Sequence, residues 1–312
     1  MEISQFAPVF IPTLNRDVHL KRCVDSFARC THADKTDLYI ALDYPAKETH
    51  YEGYNKIKEF LKTIIAFKSV NIIERRENYG AEKNFNEGLT YIFRNYDRVI
   101  PSEDDNEFSP NFLDYINKGL ERFKDDSNVL AICGHRPLIY ISPNYEYNYY
   151  FAKGFSPWGF GLWREKNKLW LRTPEDLKRF VSNSTLKNSL KYYHERLYYD
   201  TLHYIKENKN MIGDGAIALH LIEYDKYCVY PTIAKSRNHG HDGSGVHCGK
   251  IQYDRYANQK IDENRTVEFS SNVPLQNELI NSSLRKYSKV RFIEKVKMLI
   301  KKLLSIMGVK YR

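Results

Sequence analysis

Short apolar runs alternate with segments of helical spacing over the first 134 residues of the chain. Each run has the length of a strand buried in a sheet. Between the runs, apolar residues such as Leu20, Cys23 and Phe27 recur every three or four positions, which predicts helices. Strands are therefore predicted at 6–13, 38–43, 70–74, 98–102 and 129–134, and helices after residue 17 and at about 54–67, 84–96 and 110–123.

This alternation predicts an α/β, Rossmann-like fold with a mostly parallel central sheet flanked by helices. Beyond residue 134 the pattern becomes irregular and rich in aromatic residues as far as Trp170. Residues 238–249 contain four Gly and three His. Such a composition is typical of a mobile loop that lies near a ligand.

The end of the chain has another pattern, in which apolar residues form one face of a helix and cations the other. The apolar positions are Phe292, Val296, Leu299, Ile300, Leu303 and Met307, and the cations are Arg291, Lys295, Lys297, Lys301 and Lys302. This helix is too short and polar to span a membrane, so we expect it to rest on an anionic membrane surface. A terminal helix docked on the folded domain is the alternative. The predicted organisation is a folded domain at 1–250, an extension or linker at 251–284 and a basic amphipathic helix at 285–312.

Charge and cysteine content narrow the choice of partners and compartment. Residues 285–312 contain ten Lys or Arg and one acid, Glu294, and this excess equals the net charge of +9 of the whole chain. A nucleic-acid binder more often has a basic stripe on its folded body, so no nucleic-acid partner is expected. The five Cys lack a CxxC pair, which favours reduced thiols. Met1 leads directly into a strand without a signal peptide, which predicts a cytoplasmic protein, peripheral at the inner face of the cell membrane.

Three adjacent acids, Glu103, Asp104 and Asp105, follow the predicted strand at 98–102. Ligands of open α/β sheets bind outside the carboxyl ends of strands, so this cluster is placed for chemistry. Buried carboxylates without a counter-charge repel one another, and a divalent cation would resolve that conflict. Carboxylate oxygens suit Mg²⁺ or Mn²⁺, which would neutralise charge on a departing diphosphate. The alternative is a solvated acidic turn that caps the next helix.

The acids belong to an ordered series of segments that resembles inverting glycosyltransferases of the GT-A fold. The segments are PVFIPTLNR at 8–16, ENYGAEKN at 77–84, EDD at 103–105, FSPWGFGLW at 155–163, IGD at 212–214, CVYPTIAKSR at 228–237 and NHGHDGSGVH at 238–247. The group it resembles is typified by N-acetylglucosaminyltransferase I and by bacterial family-two enzymes that build surface glycans. The resemblance covers about residues 9–249 and implies a metal-dependent, inverting transfer.

The same resemblance implies a role for individual residues. Asp105 binds the metal, supported by Glu103 and His239, and Asp214 is the general base that takes the acceptor proton. Trp158 and Gly159 lie on the acceptor side, where an indole face can stack on a sugar ring. The nucleotide-sugar donor, with UDP favoured, is contacted by Pro12, Thr13, Asn15, Arg16, Asp43, Arg76, Asn78, Gly80, Lys83, Asn84, Asp104 and His247.

Several of these residues also have a simpler structural interpretation. Asp43, which the resemblance places at the nucleobase, suits a turn before Tyr44 and Pro45. Asp214 suits a helix N-cap, and Gly213 stands where the group commonly has Trp before its base. Solvated charges are the alternative for Arg76 and Lys83, and core packing is the alternative for the Trp residues.

The sequence thus predicts a hexosyl- or N-acetylhexosaminyltransferase that uses a UDP-sugar and a glycan or lipid-linked acceptor in surface-glycan synthesis, such as lipopolysaccharide or capsule. Two alternatives stay open. A nucleotidyltransferase that makes sugar nucleotides would carry a Gly-rich basic loop after the first strand, and residues 12–16 lack one. A non-catalytic adaptor would bind lipid or nucleic acid through the basic tail and keep only an inactive transferase-like body.

Overall fold

The computed structural model describes residue 3 and residues 5–167, 170–245 and 249–290. His247 and the predicted amphipathic tail from residue 291 lie outside this part of the chain. No helix within it is long and apolar enough to cross a membrane. The described residues fall into two compact units, the first formed by residues up to 137, 143–167 and 224–276, the second by 138–142, 170–223 and 277–290. Residues 251–276 of the predicted extension therefore belong to the first unit.

Strands and helices alternate through the first 133 residues, as the apolar pattern predicts. The strands are β1 (Val9–Thr13), β2 (Asp37–Leu42), β3 (Ser69–Glu74), β4 (Arg98–Pro101), β5 (Asn106–Phe108), β6 (Val129–Cys133), β7 (Tyr149–Ala152), β8 (Phe160–Trp163), β9 (Leu171–Arg172), β10 (Met211–Ile212), β11 (Tyr227–Pro231) and β12 (Ser236–Asn238). The helices are α1 (Asp17–Ala28), α2 (Tyr51–Leu61), α3 (Gly80–Ile92), α4 (Phe112–Arg122), α5 (Pro174–Ser182), α6 (Ser184–Tyr193), α7 (Glu195–Lys206), α8 (Gly213–Glu223) and α9 (Glu278–Ser288).

The described part of the first unit contains an eight-stranded sheet in the order β3-β2-β1-β4-β8-β6-β11-β7. Strands β8 and β7 run antiparallel to their neighbours, and the other six strands share one direction. The predicted α/β fold with a mostly parallel sheet is thus confirmed. The strand order reverses between β1 and β4, because the chain leaves β1 toward β2 on one side and later returns to place β4 on the other. Ligands of open α/β sheets bind at such a point.

The core of the first unit forms because β1 is apolar on both faces and helices cover it. Phe10 and Ile11 are fully buried, and Gly88 of α3 packs so closely on Phe10 that an added Cβ would lie 2.2 Å from its ring. In α1, the predicted apolar positions Leu20 and Phe27 are buried as well. Burial of each such side chain contributes roughly 1.5–3 kcal/mol.

The second unit is helical, whereas the sequence pattern predicts an irregular region after residue 134. Helix α5 begins with a capping box, in which Thr173 and Asp176 bond each other's backbone N–H groups. The buried apolar residues of this unit are Leu177, Phe180, Leu190, Met211, Ala216, Leu219 and Ile222. These helices were not predicted because their apolar positions are interrupted by many exposed tyrosines and lysines, which weakens the helical period.

A small second sheet shapes the carboxyl edge of the large one. Strand β5, which follows the acidic cluster, pairs antiparallel with β12, and Asn106 lies opposite Asn238. This pairing brings residues 236–238 next to residues 106–108, although about 130 residues of chain separate them. The edge of the sheet is thereby closed on one side by the segment that follows β12.

Candidate functional site

Asp104 and Asp105 lie directly after β4 and are only 4% and 7% exposed. Thr13, the last residue of the neighbouring β1, donates its hydroxyl to Asp104 Oδ2 at 2.7 Å. Arg16, just before α1, donates Nη1 to Asp105 Oδ2 at 2.8 Å and Nη2 to Asp104 Oδ1. The pairing of β1 with β4 therefore brings two predicted donor residues and two predicted acids into one group, which we call the acid cluster.

The acid cluster keeps an excess negative charge. Burial raises the pKa of Asp104, because loss of water disfavours the charged form; Arg16 opposes this effect and the neighbouring Asp105 adds to it. Burial by itself would lower the pKa of Arg16, yet the two carboxylates raise it above its ordinary value. Two acids share one guanidinium, so the cluster attracts a further cation.

Replacing Arg16 by Met is expected to lower the free energy of unfolding by about 2–4 kcal/mol, because two buried carboxylates lose their counter-charge. Urea unfolding at pH 7 measures the change. Adding Asp104→Asn to Arg16→Met should recover most of the loss, since one buried charge then disappears. The control is Lys56→Met, which removes an exposed cation paired with Glu52 and should change stability by less than about 1 kcal/mol. A loss that Asp104→Asn leaves unchanged contradicts the charge explanation.

Asp105 has the carboxylate that best fits a divalent cation. Its Oδ1 accepts from Asn238 Nδ2 at 2.7 Å and its Oδ2 from Arg16 at 2.8 Å, which leaves one lone pair on each oxygen. Among the described residues, no three His, Cys, Asp or Glu side chains are grouped to hold a metal. Mg²⁺ and Mn²⁺ commonly bind through one or two carboxylates and complete their shell with phosphates. The residues present therefore fit a cation held by Asp105 together with a diphosphate. Glu103, half-buried before this pair, accepts the Ser102 hydroxyl at its backbone carbonyl.

Asp43 follows β2 and holds the turn that starts α3. Its Oδ1 accepts the N–H groups of Tyr44 and Tyr79 at 2.9 and 2.8 Å. Its Oδ2 accepts the Gly80 N–H at 2.9 Å and Asn78 Nδ2 at 3.3 Å. Gly80 has a φ of +72°, a conformation that favours glycine. These bonds start α3 four residues before the predicted helix at 84–96, and the nucleobase contact of Asp43 stays a prediction.

Asn84 joins α3 to the sheet beneath it. Its Nδ2 donates to the Ala41 carbonyl and its Oδ1 accepts from Arg75 Nε, both at 2.9 Å. This buried side chain thus fixes the helix whose first turn carries the predicted donor residues. Of the other residues predicted to contact the donor, Pro12 and Asn15 are half-buried and Arg76 and Lys83 are exposed.

Residues 238–245 pass directly over Asp105, as the composition of this loop predicts for a segment near a ligand. The backbone N–H of His239 donates to the Asp105 carbonyl at 2.9 Å. A Cβ at Gly240 would lie 2.3 Å from Asp105 Oδ2, so a residue without a side chain is required there. On the other side, Asp242 lies 2.9 Å from His19 Nε2 of α1. The segment is therefore fixed at both ends of its passage over the acid cluster.

The ring of His239 is held by Glu107. His239 Nε2 lies 2.8 Å from Glu107 Oε2, which also pairs with Arg237 at 2.9 Å. The bond to His239 lowers the pKa of Glu107 to about 2, and Arg237 helps to offset the opposite effect of burial. The predicted metal ligand His239 thus has a protein partner on one ring nitrogen, and its role toward a metal stays a prediction.

Trp158, the predicted acceptor contact, lies half-buried in an aromatic cluster. The ring centroids of His135, Tyr256 and His241 lie 4.4, 5.2 and 6.0 Å from that of Trp158, all with steeply inclined planes. His241 also stacks on Tyr256 at 4.9 Å. Gly159 has a φ of +79°, and an added Cβ there would lie 2.5 Å from a core phenylalanine ring. Two imidazoles that sequence reasoning did not place thus flank the predicted indole.

His135 is expected to make the protein less stable in mild acid. Burial lowers its pKa to about 3, so below about pH 6.5 the unfolded chain binds a proton that the folded chain does not. Stability present above pH 6.5 should therefore fall by about 2–3 kcal/mol on going to pH 4.5. Urea unfolding of the wild type and of His135→Asn at both pH values measures this, and the variant should lose most of the difference. Exposed His203→Asn is the control, and equal slopes for wild type and His135→Asn contradict the assignment.

Asp214 belongs to the second unit and is the second residue of α8. Its exposed carboxylate accepts the Gly215 N–H at 2.9 Å, in a first turn where a negative charge faces the positive end of the helix dipole. Gly213, which replaces the Trp of the resembled group, has a φ of +65°. Glycine therefore permits the turn from β10 into α8 that sets the direction of Asp214, and its role as base stays a prediction.

The sequence matches the family described as Glycosyl transferase family 2 over residues 9–180, which is more than half of the 312 residues. The chain belongs to glycosyl transferase family 2. The matched segment contains β1 to β8, the acid cluster, the Asp43 turn and Trp158. A comparison of this family 2 glycosyltransferase with curated proteins gives no match.

Three solved structures are similar to this family 2 glycosyltransferase. The mannosyltransferase PcManGT from Pyrobaculum calidifontis, solved with GDP-Man and Mn²⁺, is 15% identical with a TM-score of 0.36, over 51% of this chain and 44% of that chain. Residues 1–349 of S. aureus TarS with UDP-GlcNAc are 14% identical with a TM-score of 0.35, over 50% and 45%. Mouse xyloside xylosyltransferase 1 is 10% identical with a TM-score of 0.35, over 71% and 83%. The chain spans less than half the length of the first two.

Some side chains of the site were missed from the sequence. They are His19, Glu107, His135, Asn238, His241 and Asp242 as partners of predicted residues. Glu107 and Asn238 stand two and one residues from predicted ligands, so their proximity in sequence was an available signal. His19 and His135 gave none, because one lies within a helix and the other just after a strand, and neither is part of a motif.

Proposed function

We propose that this family 2 glycosyltransferase is an inverting, metal-dependent enzyme that transfers a hexosyl or N-acetylhexosaminyl group from a UDP-sugar to an acceptor hydroxyl. The observation that carries the proposal is the acid cluster of Arg16, Asp104 and Asp105. It lies where the strand order reverses, at the carboxyl ends of β1 and β4, with an excess negative charge. These properties suit a cation and a nucleotide diphosphate bound together.

The proposed donor site is built around Asp105. Asp105 would hold Mn²⁺ or Mg²⁺ with the diphosphate, and such an ion supplies positive charge to the leaving nucleotide diphosphate. Arg16 holds the two carboxylates in place, and Asp104, tied to Thr13, is available to the ribose or the metal shell. Glu103, His239 and His247 are proposed to assist, and the exposed Arg76 and Lys83 to offset phosphate charge.

Asp214 is proposed as the general base. In an inverting transfer the acceptor oxygen attacks the anomeric carbon on the face opposite the leaving group, while a carboxylate removes the hydroxyl proton. One carbon–oxygen bond forms, the bond from the anomeric carbon to the phosphate oxygen breaks, and UDP leaves with the bonding electrons. Trp158 is proposed to stack on the acceptor sugar. The support for Asp214 is its exposed carboxylate and the resemblance of residues 212–214.

Sugar-nucleotide binding tests the proposal. Thermal unfolding is measured with UDP-, GDP-, dTDP- and CMP-sugars, each with Mn²⁺ or with EDTA, and slow donor hydrolysis is followed in parallel. A UDP-sugar is expected to raise Tm and to be hydrolysed only with Mn²⁺, because a ligand that binds the folded state stabilises it. Stabilisation by UDP-sugars that EDTA does not abolish contradicts the metal site, and stabilisation only by another nucleotide contradicts UDP.

The nucleotidyltransferase alternative predicts a different product. An enzyme of that class would release pyrophosphate from UTP and a sugar 1-phosphate. The family 2 assignment and the absence of a Gly-rich basic loop at 12–16 both favour transfer instead. No pyrophosphate is therefore expected, and its release with multiple turnovers would replace the proposed reaction.

The proposed setting is surface-glycan synthesis at the inner face of the cell membrane, with a glycan or lipid-linked acceptor. The support is the basic amphipathic pattern of residues 291–307, which lies outside the described residues. Phosphatidylglycerol vesicles are expected to pellet the full chain but not a chain that ends at Val290, which keeps α9 complete. Phosphatidylcholine vesicles are the control. Equal pelleting of both chains contradicts the membrane contact.

A further inference from the structure

Three buried polar atoms in the described part of the first unit have no hydrogen-bond partner and belong to the aromatic cluster around Trp158. They are His135 Nε2, His241 Nδ1 and Gln259 Oε1. Buried polar atoms of native proteins are nearly always paired, and each unpaired one costs about 1–3 kcal/mol. Three such atoms on neighbouring residues therefore require an explanation.

The opposite ends of two of these side chains are fixed by the protein. Gln259 donates its Nε2 to the Arg136 carbonyl at 2.8 Å. His135 Nδ1 lies 3.4 Å from the Ser156 hydroxyl. The unpaired atoms are thus the remaining ends of side chains whose orientation is already set. For the third, the nearest ion-pair partner is Asp254, whose Oδ2 lies 3.7 Å from His241 Nδ1 and so beyond hydrogen-bond length.

The position of these atoms relative to the acid cluster is also defined. His241 is the neighbour of Gly240, which abuts Asp105 Oδ2, and it turns its ring toward Trp158 and Tyr256. The aromatic cluster therefore adjoins the carboxylate proposed to hold the diphosphate. The reacting sugars must lie within one ring of that diphosphate, which is where the cluster stands.

The chemistry of the cluster selects its ligand class. Its aromatic faces suit the apolar C–H face of a pyranose, and its polar atoms suit hydroxyl groups. A phosphate or a carboxylate is disfavoured, because burial lowers the pKa of His135 to about 3 and leaves the imidazole uncharged. Neutral donors and acceptors beside aromatic rings are what a neutral sugar requires.

We propose that His135, Trp158, His241, Tyr256 and Gln259 form a subsite for one pyranose ring, with Trp158 against the ring and the three unpaired atoms bonded to its hydroxyls. This inference rests on the proposed transferase function. The ring enters when the His241 side chain leaves Tyr256, and His241 stands between Gly240 and Gly243, which has a φ of +91°. The sugar is either the transferred group of the donor or the acceptor.

Saturation-transfer NMR on the full chain tests the subsite with two sets of probes. Methyl glycosides of glucose, galactose, mannose and N-acetylglucosamine report an acceptor sugar, and UDP-sugars compared with UDP report the transferred sugar. We expect ring protons of at least one probe to receive saturation. His135→Asn keeps a polar group near Nδ1 but removes Nε2, and should weaken that probe about tenfold. His135→Gln, whose amide reaches the Nε2 position, should weaken it less, and Trp158→Ala should abolish it.

The matched control is Tyr115→Phe. The Tyr115 hydroxyl is likewise buried without a partner, but its ring stacks on Phe269 in the core at 5.1 Å. This variant should bind every probe as the wild type does. Saturation of no probe, binding unaffected by His135→Asn, or equal weakening of UDP alone would each overturn the subsite. Failure of the proposed function shows separately, as a lack of UDP binding, while the methyl glycosides still decide the subsite.

Discussion

Asp105→Ala is expected to lower kcat/KM for sugar transfer by about 10³-fold, which corresponds to about 4 kcal/mol of transition-state stabilisation. The physical reason is that Asp105 is the carboxylate of the acid cluster with lone pairs left for a cation beside the diphosphate. The residual activity should no longer respond to Mn²⁺ between micromolar and millimolar concentration. Radiolabelled sugar transfer from the donor identified by thermal unfolding provides the measurement.

Stability must be measured beside activity in this experiment. Asp105→Ala also frees Arg16 Nη1 and Asn238 Nδ2, so circular dichroism and Tm show whether the fold survives. Asp105→Asn keeps an oxygen at the same place and should retain more stability while still losing most activity. Exposed Asp125→Asn is the matched control and should behave as the wild type. Unchanged transfer with an unchanged metal requirement in Asp105→Ala would refute the metal role of this residue.

Asp214→Asn is expected to lower kcat by about 10²–10⁴-fold, the usual contribution of a general base. Donor binding should stay unchanged, because the base acts on the acceptor. Asparagine is as suitable as aspartate near a helix N-terminus, so the fold of α8 should persist. Stopped assays give kcat, and thermal unfolding with the donor gives binding.

Asp200 of α7 is the natural control for this second experiment. Partial burial raises its pKa, Arg196 and His203 oppose this, and the charge of Asp214 adds to it, so the two carboxylates are neighbours within the second unit. Asp200→Asn should retain most of the activity. If Asp200→Asn abolishes transfer and Asp214→Asn does not, the base is Asp200, and full activity in both variants removes the general base from the second unit.

The sequence predicted the elements of the first unit well because their signal is local. Residues such as Leu20 and Phe27 recur at the period of one buried helix face, and β1 is an uninterrupted apolar run. Boundaries were less accurate where a tertiary contact set them. The α3 helix starts at Gly80 because Asp43, 37 residues earlier, accepts its N–H.

The sequence by itself determined that the chain has an α/β fold, that acids follow the fourth strand, and that a Gly- and His-rich loop comes late. Each depends on residues that are neighbours in the chain. Only the tertiary structure decided that Arg16 lies between Asp104 and Asp105, that Glu107 holds His239, and that two histidines surround Trp158. These contacts join segments separated by up to 132 residues, and their partners are set by strand order and β5–β12 pairing, which no local period encodes.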